Sequence, residues 1–537
     1  MRITNKIMQN NNLTNINNNK ILQDKLSTQM STGKKISKPS DDPVIAIRAL
    51  RLRSNVTEVV QYYKKNIPDA NSWLEVTEGA LNNTAKVLTS IIGQYTSGAR
   101  GYLTSGDRKI ILEQLKALRD EIYSTADVDY AGRYVFSGYR TDTSVTFTDD
   151  TKKEYTITQQ MDNSAIDSVT HVRTTVGNKD LYDIDSTNYE DIDILESDVD
   201  SVEVHRIRLS YDNTYYDPDD DTTIPTLEVV TGRDANGDIT TAPIVAPDDV
   251  IVVHSYDVPS AYELAADPAF ADKVFYIPET GEMVLGDDIY QKMMAYKDDP
   301  STSDVNEGEI RITYKKSEWD KGDLRPEHYY ACSSVERDDN GDVTKQLNYN
   351  QDYLNGKRDE SQVIEYDVGF NQTIRVNTRA DECFDPGIGR EVDDMIRVLE
   401  DVQNLENIAG KLKDLMEGEE DEDKLAALQS RLKAVNKALT LNTEKMQRMF
   451  ESGITAMQGY LDANSLAITN CGTRSSKLEL IEYRMSEQKI TFEELQSQNE
   501  DIDITDVVIN LESASMIYNA ALMATGKVMQ TNLLNFI

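Results

Sequence analysis

Cysteine is scarce in this chain: 537 residues hold three, Cys332, Cys383 and Cys471. The number is odd, the separations are long, and neither a CxxC pair nor a histidine at metal-ligand spacing accompanies them. That pattern argues against a disulfide framework or a structural zinc site and leaves free, structural thiols as the expectation. Histidine is nearly as rare, with His171, His205, His254 and His328 in all and none in an HExxH motif. The GxSxG elbow and the phosphate-cradling glycine loop are missing too. Paired carboxylates are so frequent that none stands out as an acid and base, so an enzyme is not expected and no catalytic, metal or cofactor residue is assigned. Asp217, Asp219, Asp220 and Asp221 read as a solvated loop in preference to a cation site.

Long apolar runs are lacking as well. Even the apolar C-terminal stretch is interrupted by Asn519, Lys527 and Asn532, so no membrane span is expected. The opening Met1–Lys6 leads into Asn10, Asn11 and Asn12 without the apolar segment of a cleavable secretory signal, and export would need another route. Positive charge is in deficit: 56 Lys and Arg face 94 Asp and Glu, a net charge of −38. A self-repelling, soluble surface is expected, and nucleic acid is not an expected partner.

What is present is unevenly distributed. Between residues 141 and 385, 55 acidic residues face 21 basic ones, a balance of −34 that leaves only −4 for the flanks. At this length two or three folding units are expected, and the charge step marks where they meet. In the N-terminal arm Val60, Ile67, Leu74, Leu81, Leu88, Tyr95 and Tyr102 recur every seven residues, with Tyr63, Ala70, Thr77, Thr84 and Ile91 at the alternate position. This is the seam of a helix about 60 Å long. Pro68 predicts a kink or a helix start within it, with Asn66 as a cap. A second helix begins near Ser105 or Asp107 and turns Ile111, Leu115, Leu118 and Ile122 inward.

The C-terminal arm repeats the pattern. Phe450, Met457, Asn464, Cys471, Leu478 and Met485 share one heptad position, and Ile454, Leu461 and Ile468 occupy the other. Two further helical segments, at 395–405 and 425–439, flank the acidic loop 417–423. Small and polar seam residues, Thr77, Thr84, Gly98, Asn464 and Ser475, point to several helices side by side, an antiparallel rod with the insert at its far end.

The insert reads as β-structure, from alternating runs at Ser144–Phe147, Glu154–Ile157 and Ile310–Tyr314. Asn236-Gly237 and Asn340-Gly341 read as hairpin turns; a calcium loop would put Gly sixth and Glu twelfth, and neither does. The fold class is α+β: a long antiparallel helical, coiled-coil rod from the two terminal segments, with a mainly β insert. The expected divisions are assembly tails at 1–43 and 503–537, a rod at 44–140 and 386–502, and the acidic insert at 141–385. In the tails, Ile3, Ile7, Leu13, Ile16, Leu22 and Leu26 form a broken stripe among asparagines, which are poor helix formers. Leu511, Ile517, Leu522 and Val528, followed by Leu533, Leu534, Phe536 and Ile537, form an apolar face with little else in the chain to bury it. These residues are the expected assembly interface.

Several motifs carry a family resemblance. Leu26–Ile36 followed by Lys38-Pro39-Ser40-Asp41-Asp42-Pro43, then Glu78-Gly79-Ala80-Leu81, and then Cys471-Gly472-Thr473-Arg474-Ser475-Ser476-Lys477-Leu478-Glu479 resemble signatures of the bacterial flagellins and their hook-associated relatives. In the first, Gly33 suits a helix stop, and Ser40 or Asp41 a cap before Pro43. Gly132–Thr141 is similar to the segment found in junction members of the family, as are Met1-Arg2-Ile3-Thr4, Gln372–Asn377 and Phe384. The resemblance covers roughly 1–141 and 364–537. It implies a structural subunit of the bacterial flagellum at the hook-filament junction, secreted unfolded through the flagellum's own channel. Implied partners are further copies of itself in a ring or helical array, a neighbouring hook-associated protein, flagellin and a flagellar export chaperone. A major flagellin filament subunit and a stalked adhesin or carbohydrate-binding protein are the alternatives. Copy number per flagellum and glycan binding by the insert would separate them.

Overall fold

The computed structural model describes residues 5–101, 103–173, 194–234, 239–296, 308–337, 343–358 and 361–530. In chain order, helices α1 (Asn5–Thr32), α2 (Pro43–Gln61), α3 (Ile67–Gly98) and α4 (Ser105–Ser124) come first. Strands β1 (Asp129–Tyr130), β2 (Arg133–Tyr134), β3 (Thr151–Met161), β4 (Ile166–Arg173), β5 (Asp200–Arg208), β6 (Thr226–Arg233), β7 (Ile239–Pro243) and β8 (Val250–Val252) follow. Then come α5 (Ala261–Ala265), β9 (Val274–Ile277), β10 (Glu282–Leu285), α6 (Asp287–Met294), β11 (Ile310–Trp319), β12 (Ala331–Arg337), β13 (Val343–Tyr349), β14 (Glu365–Gly369) and β15 (Gln372–Arg375). The chain closes with α7 (Pro386–Glu417), α8 (Glu422–Glu500) and α9 (Ile504–Gln530). Two compact units result, one of Met1–Asn71, Tyr366–Ile374 and Ser476–Ile537, the other of Ser72–Glu365 and Arg375–Ser475.

In the first unit, α1 stops at Gly33, whose φ of 69° is the left-handed conformation that glycine adopts at little cost. Asp42, not Ser40 or Asp41, caps α2: its side chain accepts from the backbone N–H groups of Val44 and Ile45, with Pro43 in the first turn. Asp41 instead closes the preceding loop, accepting from Ser37 and Lys38 N–H.

Pro68 is the second residue of α3, so the expected helix start falls beside it, although the chain before it is helical as well. Tyr62–Asn66 form one π-turn between α2 and α3, so the N–H of Ile67 bonds back to Tyr62, and the ladder absorbs the missing proline N–H. Asn66 is no cap; its side-chain amide donates to the Asp367 carbonyl. The extra residue shifts the heptad register, so that Val59 is buried upstream and Val60 only half-buried, while Ile67 and Ala70 are buried downstream.

The second unit holds a six-stranded antiparallel sheet, in the order β13-β12-β3-β11-β6-β7, and a five-stranded sheet, in the order β4-β5-β10-β9-β8, in which only the β8–β9 pair is parallel. Expected strands at Glu154–Ile157 and Ile310–Tyr314 lie in β3 and β11, which pair from Thr151↔Trp319 to Met161↔Ile310. Ser144–Phe147 is not a strand. It makes one bridge, Thr146↔Leu324, because Asp127 Oδ1 takes up the N–H groups of Val145 and Thr146. Phe147 instead stacks on Trp319 at 4.9 Å. Both Asn-Gly turns lie outside the described residues.

Thr104 and Asp107 form a reciprocal capping box at the start of α4. The segments at 425–439 and 450–485 are one helix, α8, of 79 residues. Leu405, Leu412, Leu428 and Val435 on α7 and α8 pack with Val172, Ile194 and Val199 of the β-rich segment. All three cysteines are free and buried.

One helix among the described residues, Ile504–Lys527, is long and apolar enough to cross a membrane, with a mean hydropathy of 1.3. The polar interruptions at Asn519 and Lys527, on which the sequence reading relied, are outweighed by the Val, Ile, Leu, Met and Ala between them.

Candidate functional site

Among the described residues, α1 and α9 carry twelve of the 28 large hydrophobic side chains that stay exposed. In the first unit α1 packs along α9, where Leu26, Val507 and Ala514 are buried with Ile502 and Leu511 beside them. Two helices cannot cover each other all round. Ile7, Leu13 and Leu22 on α1 and Ile517 and Leu522 on α9 stay exposed, with Ile21, Ile509, Met516 and Met523 alongside, and Ile16 is half-buried. Val528 falls within α9. Ile3, Leu533, Leu534, Phe536 and Ile537 lie outside the described residues.

A polar latch closes the loops that join these helices to their neighbours. Glu500, 2% exposed, accepts from Arg53 Nε at 2.7 Å and Nη2 at 2.5 Å, and Lys34 lies 3.4 Å away. The hydrogen bond from Arg53 holds the Glu500 carboxyl below its usual range. Lys34 also reaches Asp501 at 2.5 Å, and the backbone bonds Lys35 N–H to Glu500 C=O and Ile502 N–H to Gly33 C=O complete the closure.

Of the seam residues, Ile67, Leu74, Leu81, Leu88, Phe450, Met457, Leu478 and Met485 are buried. Ile454, Leu461 and Ile468 are only half-buried, because the helix turns the preceding positions, Gly453 and Ala467 among them, into the seam. Close approach selects those small residues. A Cβ at Gly453 would lie 2.4 Å from the Tyr95 ring, and one at Gly98 would lie 2.3 Å from the Phe450 ring. Tyr95 and Phe450 meet edge to face at 5.7 Å. Polar seam residues bond to backbone: Asn464 Nδ2 donates to Leu81 C=O at 3.0 Å, while its buried Oδ1 has no partner among the described residues, and the Cys471 thiol donates to Leu74 C=O at 3.4 Å.

Sequence reasoning missed a buried ion cluster in the second unit. Arg206 on β5 bonds both Glu282 on β10, at 3.0 Å, and Asp394 on α7. Arg208 contacts Asp394 at 3.1 Å and Asp167 at 2.8 Å, and Arg397 reaches Glu282 at 3.3 Å and also Asp394. Burial disfavours the Asp394 carboxylate, yet Arg206, Arg397 and Arg208 together hold its carboxyl well below the usual range. The only signal for it was Arg-x-Arg in an alternating strand. Its acidic partners are hidden by the abundance of Asp and Glu around them.

Comparison with known proteins starts with a family model: residues 3–141 match that of the bacterial flagellin N-terminal helical region. Over 143 residues the chain is 31% identical to flagellar hook-associated protein 3 of Salmonella typhimurium, which is 26% of this chain and 45% of that protein. It is 30% identical over 145 residues to the protein of the same name from Escherichia coli, covering 27% and 45%. The chain thus spans about half the length of the curated relatives it matches. Among solved structures, the flagellar junction protein FlgL from Legionella pneumophila aligns over 81% of this chain and 99% of that one, at 12% identity and a TM-score of 0.27.

Proposed function

We propose that this chain is a structural, non-catalytic subunit of the bacterial flagellum that joins hook-side subunits to flagellin by polymerising through its terminal helices. The exposed apolar faces of α1 and α9 carry this reading, because each Leu, Ile or Met taken out of water is worth about 1.5–3 kcal/mol. A few such side chains per subunit, repeated around a ring, outweigh the entropy of association. Similarity to hook-associated protein 3 over 143 residues supports the junction in preference to the filament shaft. On this reading the chain is secreted, copies of itself, a neighbouring hook-associated protein and flagellin are its neighbours, and an export chaperone covers α9 beforehand.

Truncation after Asn519 tests it. Circular dichroism should show the α3 and α8 helices intact, while cells expressing the truncated subunit shed their filaments and the subunit loses its chaperone. Normal filaments on those cells would remove α9 from the assembly surface. Vesicle insertion of α9 in the full-length chain would assign its apolar face to a membrane.

A further inference from the structure

A cavity of about 1000 Å³ opens in the second unit, walled by strands β4, β5, β9 and β10, by the segment from His254 to Glu263, and by helices α7 and α8. Its wall holds eight Asp or Glu and five Lys or Arg, and the two signs are interleaved: Arg206, Arg208 and Arg397 are bound to Glu282, Asp394 and Asp167. Three further carboxylates of the wall hold neutral donors. Glu203 accepts from Ser168 Oγ at 2.7 Å, Asp257 from His254 N–H at 2.8 Å and Glu263 from Ser260 N–H at 2.9 Å. A charged ligand of either sign would be buried against like charges as well as unlike ones, a cost in free energy that a neutral ligand avoids.

Acceptor-only carboxylates beside donor-only guanidinium and ammonium groups suit a ligand whose every polar group both donates and accepts, and the hydroxyl is that group. Two atoms on wall residues are open for such bonds. Thr280 Oγ1 and Arg206 Nε are buried without a hydrogen-bond partner among the described residues. Flat apolar surface lies among these polar groups: the His171 and Tyr262 rings stack at 4.6 Å, those of His254 and Tyr256 at 5.1 Å, and all four residues line the cavity. Tyr256 is 65% exposed, so its ring meets solvent where the cavity opens. An aromatic side chain combines an apolar plane with a polar edge. A pyranose ring matches it, because its C–H groups form an apolar face and its hydroxyls a polar rim.

We propose that the cavity binds a short neutral oligosaccharide, with one pyranose face on Tyr256 at the mouth and hydroxyls bridging the carboxylates and arginines of the wall. The volume stands at the top of the range of about 300–1000 Å³ for small-molecule sites, more than a single sugar ring fills. Ring stacking supplies affinity, and the mixed charges of the wall reject ligands that carry a net charge. The site uses neither α1 nor α9, so the filament-retention test of the assembly reading and the sugar test succeed or fail separately.

The test is saturation-transfer difference NMR on the full chain with maltotriose, cellotriose and N,N′,N″-triacetylchitotriose. At least one of these neutral sugars should bind, with a Kd of about 10 mM or tighter, and should slow amide exchange across His254–Glu263 in the unaltered chain. Tyr256→Ala, at an exposed position and with circular dichroism matching the parent, should bind that sugar about tenfold more weakly, while Tyr256→Phe keeps the ring and the affinity. The anionic trigalacturonate and the cationic, deacetylated chitotriose should each bind about tenfold more weakly than the best neutral sugar, or worse. The proposal is overturned if no neutral sugar binds up to about 10 mM, if exchange across His254–Glu263 is unchanged, or if Tyr256→Ala or either charged sugar shows undiminished affinity. Binding of adenosine that Tyr256→Ala weakens, with the sugars inert, would assign the cavity to a flat heteroaromatic ligand and overturn it equally.

Discussion

Tyr95 and Phe450 fill the seam between α3 and α8, and each ring lies over a glycine of the opposite helix, Gly453 and Gly98. A Gly453→Ala change sets two effects against each other: alanine favours the helix by about 1 kcal/mol, whereas overpacking a filled core costs about 1–3 kcal/mol. The Tyr95 ring is wedged against Phe450 and its hydroxyl donates to the Glu391 carbonyl at 3.2 Å, so it cannot swing clear. Urea unfolding should therefore show Gly453→Ala to be destabilised, and a stabilised variant would mean that the rings yield.

His171 gives a second measurement at this scale. Its enclosure beside Tyr262, with the Lys445 cation nearby, pushes its pKa down to about 3. In the unfolded chain the same imidazole titrates near 6.5, so between those values the unfolded state binds the proton and folding stability falls as the pH is lowered. The stability of the wild type relative to His171→Gln should decline from pH 7 to pH 4 in urea titrations. A pH-independent difference would show that His171 is not held neutral.

At the scale of elements, the Glu500 latch governs the terminal helices. Removing Glu500 leaves the Arg53 guanidinium without its bidentate partner and the loop between α8 and α9 untied. A loss of about 1–3 kcal/mol is expected, since a charge-assisted bond to a buried carboxylate disappears. Glu500→Ala should accelerate amide exchange in α1 and α9 about tenfold or more, each 1.4 kcal/mol being one decade, while amides flanking Tyr95 and Phe450 keep their protection. Equal acceleration at both sites would mean that Glu500 serves general stability only.

Element by element, the helices were the readable part. The heptads of α3 and α8 are local patterns, and the N-terminal capping of α4 lies within three residues of sequence. The π-turn was not readable, because Pro68 signals that the ladder is interrupted but not whether the backbone answers by bending or by taking in one more residue. The half-buried Ile454, Leu461 and Ile468 mislead for a related reason: their size suggested a core position, while close approach to α3 selected small residues one step earlier. The sheets were legible as strands only. Placing β3 between β11 and β12 requires pairings about 150 to 180 residues apart along the chain, which no local pattern encodes. The ion cluster hid for the same reason, since Arg206, Glu282 and Asp394 come from three distant segments.

For the whole molecule, charge sets the conditions of assembly. A net charge of −38, of which −34 lies between residues 141 and 385, opposes close packing of copies at low ionic strength. On the polymer reading, that acidic segment faces solvent at the outer radius, where salt screens it. Raising salt from about 0.01 M to about 0.15 M shortens the screening length from about 30 Å to about 8 Å. Sedimentation velocity of the full chain should therefore show larger species at the higher salt concentration. A mass that stays constant or falls would indicate that polar pairs, and not the apolar faces of α1 and α9, hold copies together.

The π-turn at Tyr62–Asn66 has a mechanical side as well. It stores one surplus residue inside an otherwise regular spring. Moving that surplus one step along the helix swaps a single backbone hydrogen bond for its neighbour and leaves the number of bonds unchanged, while the residue passed over rotates by about 100° around the axis. Apolar side chains between the old and new positions are thereby re-aimed in discrete clicks instead of by continuous bending. The helix on either side keeps its azimuth, so such a step re-aims only the side chains it passes.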